Sequence, residues 1–181
     1  MISFVRVTRS NDPMLDNLVN LLYNEFEVHQ LRPLKQLKNV IDTQPNHYFT
    51  AIVFNKKVVG VIVYWKLLNS FFYIEHFAVF SEFRGEKIGQ KVMDHINNTI
   101  GGLWLLEIDP IGDVVHDRLR KWYEKNKFTV TKLNHKQPPY VANEGTTPLH
   151  IMTNKPTNKL DLYLSTITKE VYQVGYKFTR E

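Results

Sequence analysis

Residues 81–91 read SEFRGEKIGQK and follow the apolar run FFYIEHFAVF. A strand that feeds a glycine-containing turn into a helix leaves backbone N–H groups free at the first helical turn, and the helix dipole favours an anion there. Gly85 and Gly89 let a ligand approach the backbone, while Arg84 and Lys87 add positive charge. Such a loop could hold a phosphate. Taken alone, these residues fit a plain strand-to-helix turn with a solvent-facing arginine equally well. Two carboxylates interrupt apolar strands nearby, Glu75 in FFYIEHFAVF and Glu107 in LWLLEID. Strand alternation puts Glu75 on the face of Phe77 and Val79, with His76 facing away. A carboxylate among apolar neighbours has its pKa raised and can accept a proton, although either one could equally be a structural charge with a partner on a neighbouring strand.

Other chemistries find little support. The 181 residues contain no cysteine, which removes disulfides, thiolate metal sites and a cysteine nucleophile. The seven histidines are scattered, with no H-x-x-x-H pair, so no metal is expected. Neither G-x-S-x-G nor a GKS/GKT phosphate loop occurs, which argues against a hydrolase elbow and an NTPase. The N-terminus lacks the apolar core of a signal peptide, and no apolar run approaches the roughly 20 residues of a membrane span. A cytoplasmic protein without a membrane partner is expected. The net charge of +5 comes from scattered residues, with no basic block. A solvated surface accounts for it better than a nucleic-acid face.

The elements that must position these groups follow from periodicity. Residues 2–8 read as a strand. Asp12 is a candidate N-cap with Pro13 at the first helical position, and Leu15, Leu18, Val19, Leu22 and Phe26 then recur at helical spacing to about Glu27. A short helix, LKQLKNVID, follows Pro33. HYFTAIVF and KVVGVIVYWKL form a hairpin turning at residues 55–57, and FFYIEHFAVF is the third strand of that run. Ile88, Val92, Ile96 and Ile100 mark one helix face, stopped by Gly101 and Gly102. LWLLEID is a strand. Val115, Leu119 and Trp122 mark another helix ending near Asn126, and FTVTKL and PLHIMT close the sheet. Leu160, Leu164, Ile167, Val171 and Val174 form a helical stripe, although Leu160, Leu162 and Leu164 would also suit a strand.

In this order and spacing the chain resembles the GNAT-type N-acetyltransferases. Their signature is Q/R-x-x-G-x-G/A after a strand. Arg84-Gly85-Glu86-Lys87-Ile88-Gly89 matches its outer positions, with Lys87 in place of the middle glycine. YIEHFAVFSEF resembles the family's central strand and turn. RKWYEKNKF resembles its FYEKxGF segment, with Lys127 at the usual glycine and His116 where an asparagine often stands. QPPY at 137–140 followed by PLHIM is similar to one bacterial branch. The resemblance spans about residues 48–153.

The resemblance implies an α/β (α+β) fold: a mixed, mostly antiparallel sheet of about seven strands flanked by helices. Residues 1–155 would form the domain, and 156–181 a C-terminal helical extension packed on it or on a second copy in a homodimer. The implied cosubstrate is acetyl-CoA, with no metal. Its pyrophosphate would sit on Arg84, Gly85, Glu86, Lys87, Ile88 and Gly89, and its pantetheine arm along the backbone of Phe77, Ala78 and Val79. A lysine at position 87 takes positive φ only at a cost. Tyr123 matches the family tyrosine placed near the sulfur, and Glu75 or Glu107 would be the base that takes the proton of a small-molecule or peptide amine. Attack would be direct, in a ternary complex. The loop KQPPYVANEGTTP and residues Asn24, Glu25 and Glu27 could border the acceptor. A catalytically weak CoA-binding sensor on the same fold is the alternative, and a nucleic-acid binder comes last.

Overall fold

The computed structural model describes residues 1–180. Seven strands form one sheet in the order β1-β2-β3-β4-β5-β7-β6. They are β1 (Ile2–Val7), β2 (His47–Phe54), β3 (Lys57–Leu67), β4 (Phe71–Val79), β5 (Leu103–Ile108), β6 (Thr129–Gln137) and β7 (Thr147–Thr153). Every neighbouring pair is antiparallel except β4 and β5. The mixed, mostly antiparallel sheet is therefore as expected. The helices are α1 (Leu15–Glu25), α2 (Leu34–Thr43), α3 (Ile88–His95), α4 (Val114–Lys125) and α5 (Leu160–Ile167).

Two apolar layers cover the sheet. One face carries Ile62, Tyr64, Ile74, Trp104 and Leu106 beneath α3 and the end of α4. The other carries Phe49, Val61 and Val63 beneath α1, continuing to Trp65, Phe71, Tyr73 and Leu105 beneath α5. The β3 run from Val59 to Tyr64 is buried throughout, because helices lie on both of its faces.

Three local expectations are corrected. Asp12 does not cap α1: its Oδ1 accepts from the Met14 N–H at 2.8 Å, and the helix starts at Leu15 and ends at Glu25. An Asx turn has taken the place of the cap. On α4, Val115 and Leu119 are 73% and 41% exposed, whereas Tyr123 is buried. Only the last turns of α4 reach the sheet, so a stripe of apolar residues is not a buried face along the whole helix. The third correction concerns β4. Val63 pairs with His76 and Tyr64 with Ile74, so Glu75 is an extra residue bulged out of the ladder. The bulge resets alternation. Glu75 therefore shares a face with His76 rather than with Phe77, which packs beside Gly89 of α3.

The C-terminal segment is helical. α5 passes into a wider π-type turn at Thr168–Tyr172 and a 3₁₀ turn at Gln173–Gly175. Leu162 is 53% exposed while Leu164 and Ile167 are buried, a helical pattern. The predicted stripe lies against this chain's own sheet, on Trp65, Leu67, Phe71 and Tyr73. Polar contacts anchor it: the Arg32 guanidinium donates to Val171 O at 2.6 Å and the Gln36 amide to Gly175 O at 2.9 Å. A Cβ at Gly175 would lie 2.1 Å from the Gln36 side chain, so any larger residue there must displace the Gln36 amide.

Candidate functional site

The parallel pairing of β4 with β5 runs from Phe71↔Leu103 to Ile74↔Leu106 and then stops. Beyond it the two strands diverge and leave a cleft of about 370 Å³. Glu75, Phe77, Ala78 and Val79 line it from β4, Glu107 from β5, and Tyr123 from α4, with Arg84 also on its wall. The sequence-predicted strand and catalytic candidates are thus brought together in one place. Gly85, Glu86, Lys87, Ile88 and Gly89 are not part of the lining; they form the turn that follows and the start of α3.

Along the open edge of β4 the backbone itself faces the cleft. Gly60 of β3 approaches β4 so closely that a Cβ there would stand 2.3 Å from Ala78 O. The N–H and C=O of one strand residue point the same way and alternate along the strand. Ala78 therefore directs its backbone groups to β3, and Phe77 and Val79 direct theirs to the cleft. The pseudo-strand expected along residues 77–79 can use Phe77 and Val79, not Ala78.

At the loop, Gly85 has φ +91° and Lys87, the residue just before α3, has φ +57° and ψ +30°. No side chain caps α3, and its first intrahelical bond is Lys91 N–H to Lys87 O. The amides of Ile88, Gly89 and Gln90 thus lack intrahelical acceptors. Gly89 also lets α4 approach, since its Cβ would lie 3.2 Å from the Trp122 ring. The Arg84 guanidinium is paired with Glu25 at 2.5 Å. The two lysines at family glycine positions share a conformation, for Lys127 has φ +73°. A left-handed non-glycine residue costs roughly 1–2 kcal/mol, partly offset by the greater unfolded-state freedom of glycine. Lys87→Gly and Lys127→Gly should each raise stability by about 0.5–1 kcal/mol, read as a rise of ~2–3 °C in thermal midpoint. A fall of the midpoint in either variant would count against a strained left-handed lysine.

The two carboxylates are held differently. Glu75 is buried, with Oε1 accepting from Arg32 Nε at 2.9 Å and Oε2 from Trp65 Nε1 at 2.6 Å. Burial pushes its pKa up, but Arg32, the neighbouring histidines and the Trp65 hydrogen bond outweigh it and hold it down to about 2. The expected raised pKa is therefore wrong, because Arg32 neutralises the charge that burial would otherwise penalise. Arg32 is itself buried and lies over the rings of Trp65 and Tyr140. Glu107 sits in a different set of donors. Its Oε1 is 2.8 Å from His135 Nε2, and its Oε2 accepts from the Tyr73 hydroxyl at 2.8 Å and from the Gln137 amide.

Tyr123 has a buried ring packed between Trp122 and Phe128. Its hydroxyl has no hydrogen-bond partner among the described residues, and burial pushes its pKa up to about 12. His116 is bound at the start of α4, 2.7 Å from Asp113 and 3.5 Å from Asp109. Asp113, not predicted, caps α4 by accepting from the Val115 and His116 N–H groups.

Several residues of this centre carry no sequence signal of their own. Arg32, Trp65, Tyr73, His135 and Tyr172 stand in separate elements and meet only in the fold. Gln137 and Tyr140 fall within the QPPY segment, a candidate border of the acceptor. Tyr140 is buried between His76 and Tyr172. Glu25 lines the cleft as its position suggested, whereas Glu27 closes a local capping box with Gln30.

Behind Glu75, His47 is buried with neither ring nitrogen hydrogen-bonded. Its Nε2 is 4.0 Å from Glu75, an ion-pair distance, yet burial outweighs the attraction of Glu75 and drops its pKa to about 3. The imidazole is therefore neutral in the fold. Between the unfolded value of 6.5 and 3, the unfolded chain binds a proton that the native state does not. Stability should thus fall as pH falls through that window, by about 1 kcal/mol per unit. Glu75 acts in the same direction lower down, from 4.5 towards 2. Urea unfolding at pH 6.5 and pH 5 should differ by about 2 kcal/mol, and His47→Gln should reduce that difference. An equal difference in the variant would show that His47 does not titrate this way.

Residues 15–99 match the model of the acetyltransferase (GNAT) family. Most of the chain also overlays solved acetyltransferase structures. A GNAT-family acetyltransferase structure from Bacteroides thetaiotaomicron is 22% identical, with a TM-score of 0.86, covering 94% of this chain and 98% of its own. An aminoglycoside 6'-N-acetyltransferase complexed with coenzyme A is 18% identical, with a TM-score of 0.53 over 86% of this chain and 98% of its own. A GNAT family acetyltransferase from Elizabethkingia anophelis with acetyl-CoA bound is 15% identical, with a TM-score of 0.52 over 84% and 96%. No curated protein sequence matches the chain at a significant level. Residues 15–99 thus resemble the GNAT family, and the fold of the chain is GNAT-like. Among the described residues no helix is long and apolar enough to cross a membrane.

Proposed function

We propose that the protein is a cytoplasmic N-acetyltransferase that moves the acetyl group of acetyl-CoA directly to a primary amine. The observation that carries this reading is the divergence of β4 and β5 beyond Ile74 and Leu106, opening on Glu107 at one wall and the unpartnered Tyr123 hydroxyl at another. A cofactor fits the residues present. Phe77 and Val79 offer open backbone groups to a peptide-like arm, and the uncapped amides of Ile88, Gly89 and Gln90 offer donors to a diphosphate. When bound, acetyl-CoA would supply the activated thioester.

The acceptor must lose a proton as its nitrogen forms the new C–N bond and the C–S bond breaks. Holding an amine of pKa near 10.4 neutral at pH 7 costs about 4.6 kcal/mol, so a base is useful. Glu75 is unsuited, since Arg32 and the Trp65 hydrogen bond hold its pKa down to about 2 and leave it a weak proton acceptor. Glu107 is our choice: donors occupy its Oε2, while Oε1 carries only His135 and retains a lone pair for an ammonium proton. Tyr123 has a different task. Its pKa of about 12 lies well above a thiol's ordinary value of about 8.5, so full proton transfer to the thiolate runs uphill. Tyr123 instead stabilises the departing thiolate as a hydrogen-bond donor.

The test is acetyl-CoA turnover against monoamines, polyamines, amino acids and peptides, with free thiol as readout and calorimetry of CoA alongside. Thiol release that depends on one amine class is expected. Absence of CoA binding would overturn the reading; binding without turnover for any amine would leave only a CoA-sensing module.

A further inference from the structure

We propose that the C-terminal segment belongs to the acid–base centre, with Tyr172 a positioning residue for Glu107. This rests on the acetyl-transfer reading, in which Glu107 takes the acceptor's proton. Tyr172 is fully buried, and its hydroxyl lies 2.7 Å from the Tyr73 hydroxyl and 3.4 Å from Glu107 Oε2. The Tyr73 O–H already donates to Glu107 Oε2 at 2.8 Å. Its single proton is thereby used, so Tyr172 is the donor in the tyrosine pair and Tyr73 accepts. Burial, and after it the charge of Glu107, pushes both phenols well above their ordinary pKa, so both stay protonated donors. The chain of bonds runs from Tyr172 through Tyr73 to Oε2, with the Gln137 amide on the same oxygen. Donors fixed on Oε2 hold the plane of the carboxylate and turn Oε1 to the open lone pair.

This arrangement gives the segment beyond β7 a purpose that packing alone does not require. A leucine or phenylalanine at position 172 would fill the same apolar space against Tyr140 and Ile151. Only a hydroxyl completes the Tyr73 bond. Glu107 comes from β5, Tyr73 from β4, Gln137 from β6 and Tyr172 from the segment, so the base is aimed by elements remote in sequence.

Tyr172→Phe removes one O–H and leaves the ring in place. With the amine identified by the turnover screen, kcat should fall about 10-fold while KM for acetyl-CoA is unchanged. Tyr73→Phe, the next link, should behave the same way and serves if Tyr172→Phe folds poorly. Tyr163→Phe is the control: Tyr163 lies in the same segment, stacked on Phe71 with ring centroids 4.1 Å apart, outside the network, and should keep full kcat. Unchanged kcat in Tyr172→Phe, or an equal loss in Tyr163→Phe, would overturn the positioning role. Glu107→Gln separates the two readings. It should lose about 100-fold or more. If it does so while Tyr172→Phe is unaffected, the base stands and the positioning fails. If Glu107→Gln keeps its turnover, the base reading fails and the positioning with it.

Discussion

A chain that stops at Lys155 should not hold the native fold. Without the C-terminal segment, Trp65, Leu67, Phe71, Tyr73 and Leu105 lose their cover on one sheet face. At about 1.5–3 kcal/mol each, the gross loss is on the order of 10 kcal/mol. The burial of the missing residues and the cost of ordering them leave together, so neither counts in the remaining chain. That chain is left with Arg32 short of its Val171 acceptor and Gln36 short of its Gly175 acceptor. Water can replace these acceptors, so each loss costs about 0.5–1.5 kcal/mol. The total is comparable with the whole net stability of a domain, about 5–15 kcal/mol. Thermal melting followed by circular dichroism should show no cooperative transition, or one lowered by more than about 15 °C. A truncated chain melting within a few degrees of the full protein would show that the segment is an appendage.

The second large effect is catalytic. Tyr123→Phe should lower kcat by about 10- to 100-fold, because a hydrogen bond to a developing anion contributes about 1.5–3 kcal/mol. The bond forms only as the thiolate forms, so KM for acetyl-CoA should change little. Stability should not suffer, since the hydroxyl has no partner to lose among the described residues and its ring keeps its contacts with Trp122 and Phe128. A variant with full turnover would remove Tyr123 from the mechanism. A variant that had lost CoA binding would instead make it part of the binding wall.

The fold was legible because its signals are local and periodic. The β2–β3 hairpin, the Ile88 and Val92 face of α3 that runs on to Ile96, and the Leu164 and Ile167 stripe of α5 that runs on to Val171 all needed only alternation or helical spacing. Tyr123 and the residues of the open β4 edge are named by the resemblance to the GNAT family, and Glu107 as a carboxylate that interrupts an apolar strand. Glu75 shows the limit. Its alternation looked regular, and a one-residue bulge, invisible in the composition of β4, turned it to the other face.

By itself, then, the sequence determined the order of strands and helices, the strand-to-helix turn at residues 84–89 and the candidates along it, because hydrophobic periodicity and turn chemistry act over a few residues. Only the tertiary structure decided that Glu75 is bound by Arg32 and Trp65, that Glu107 is ringed by Tyr73, His135, Gln137 and Tyr172, and that the last helix seals its own sheet. Those outcomes depend on which charges burial forces together across the chain, and desolvation has no periodicity along the sequence.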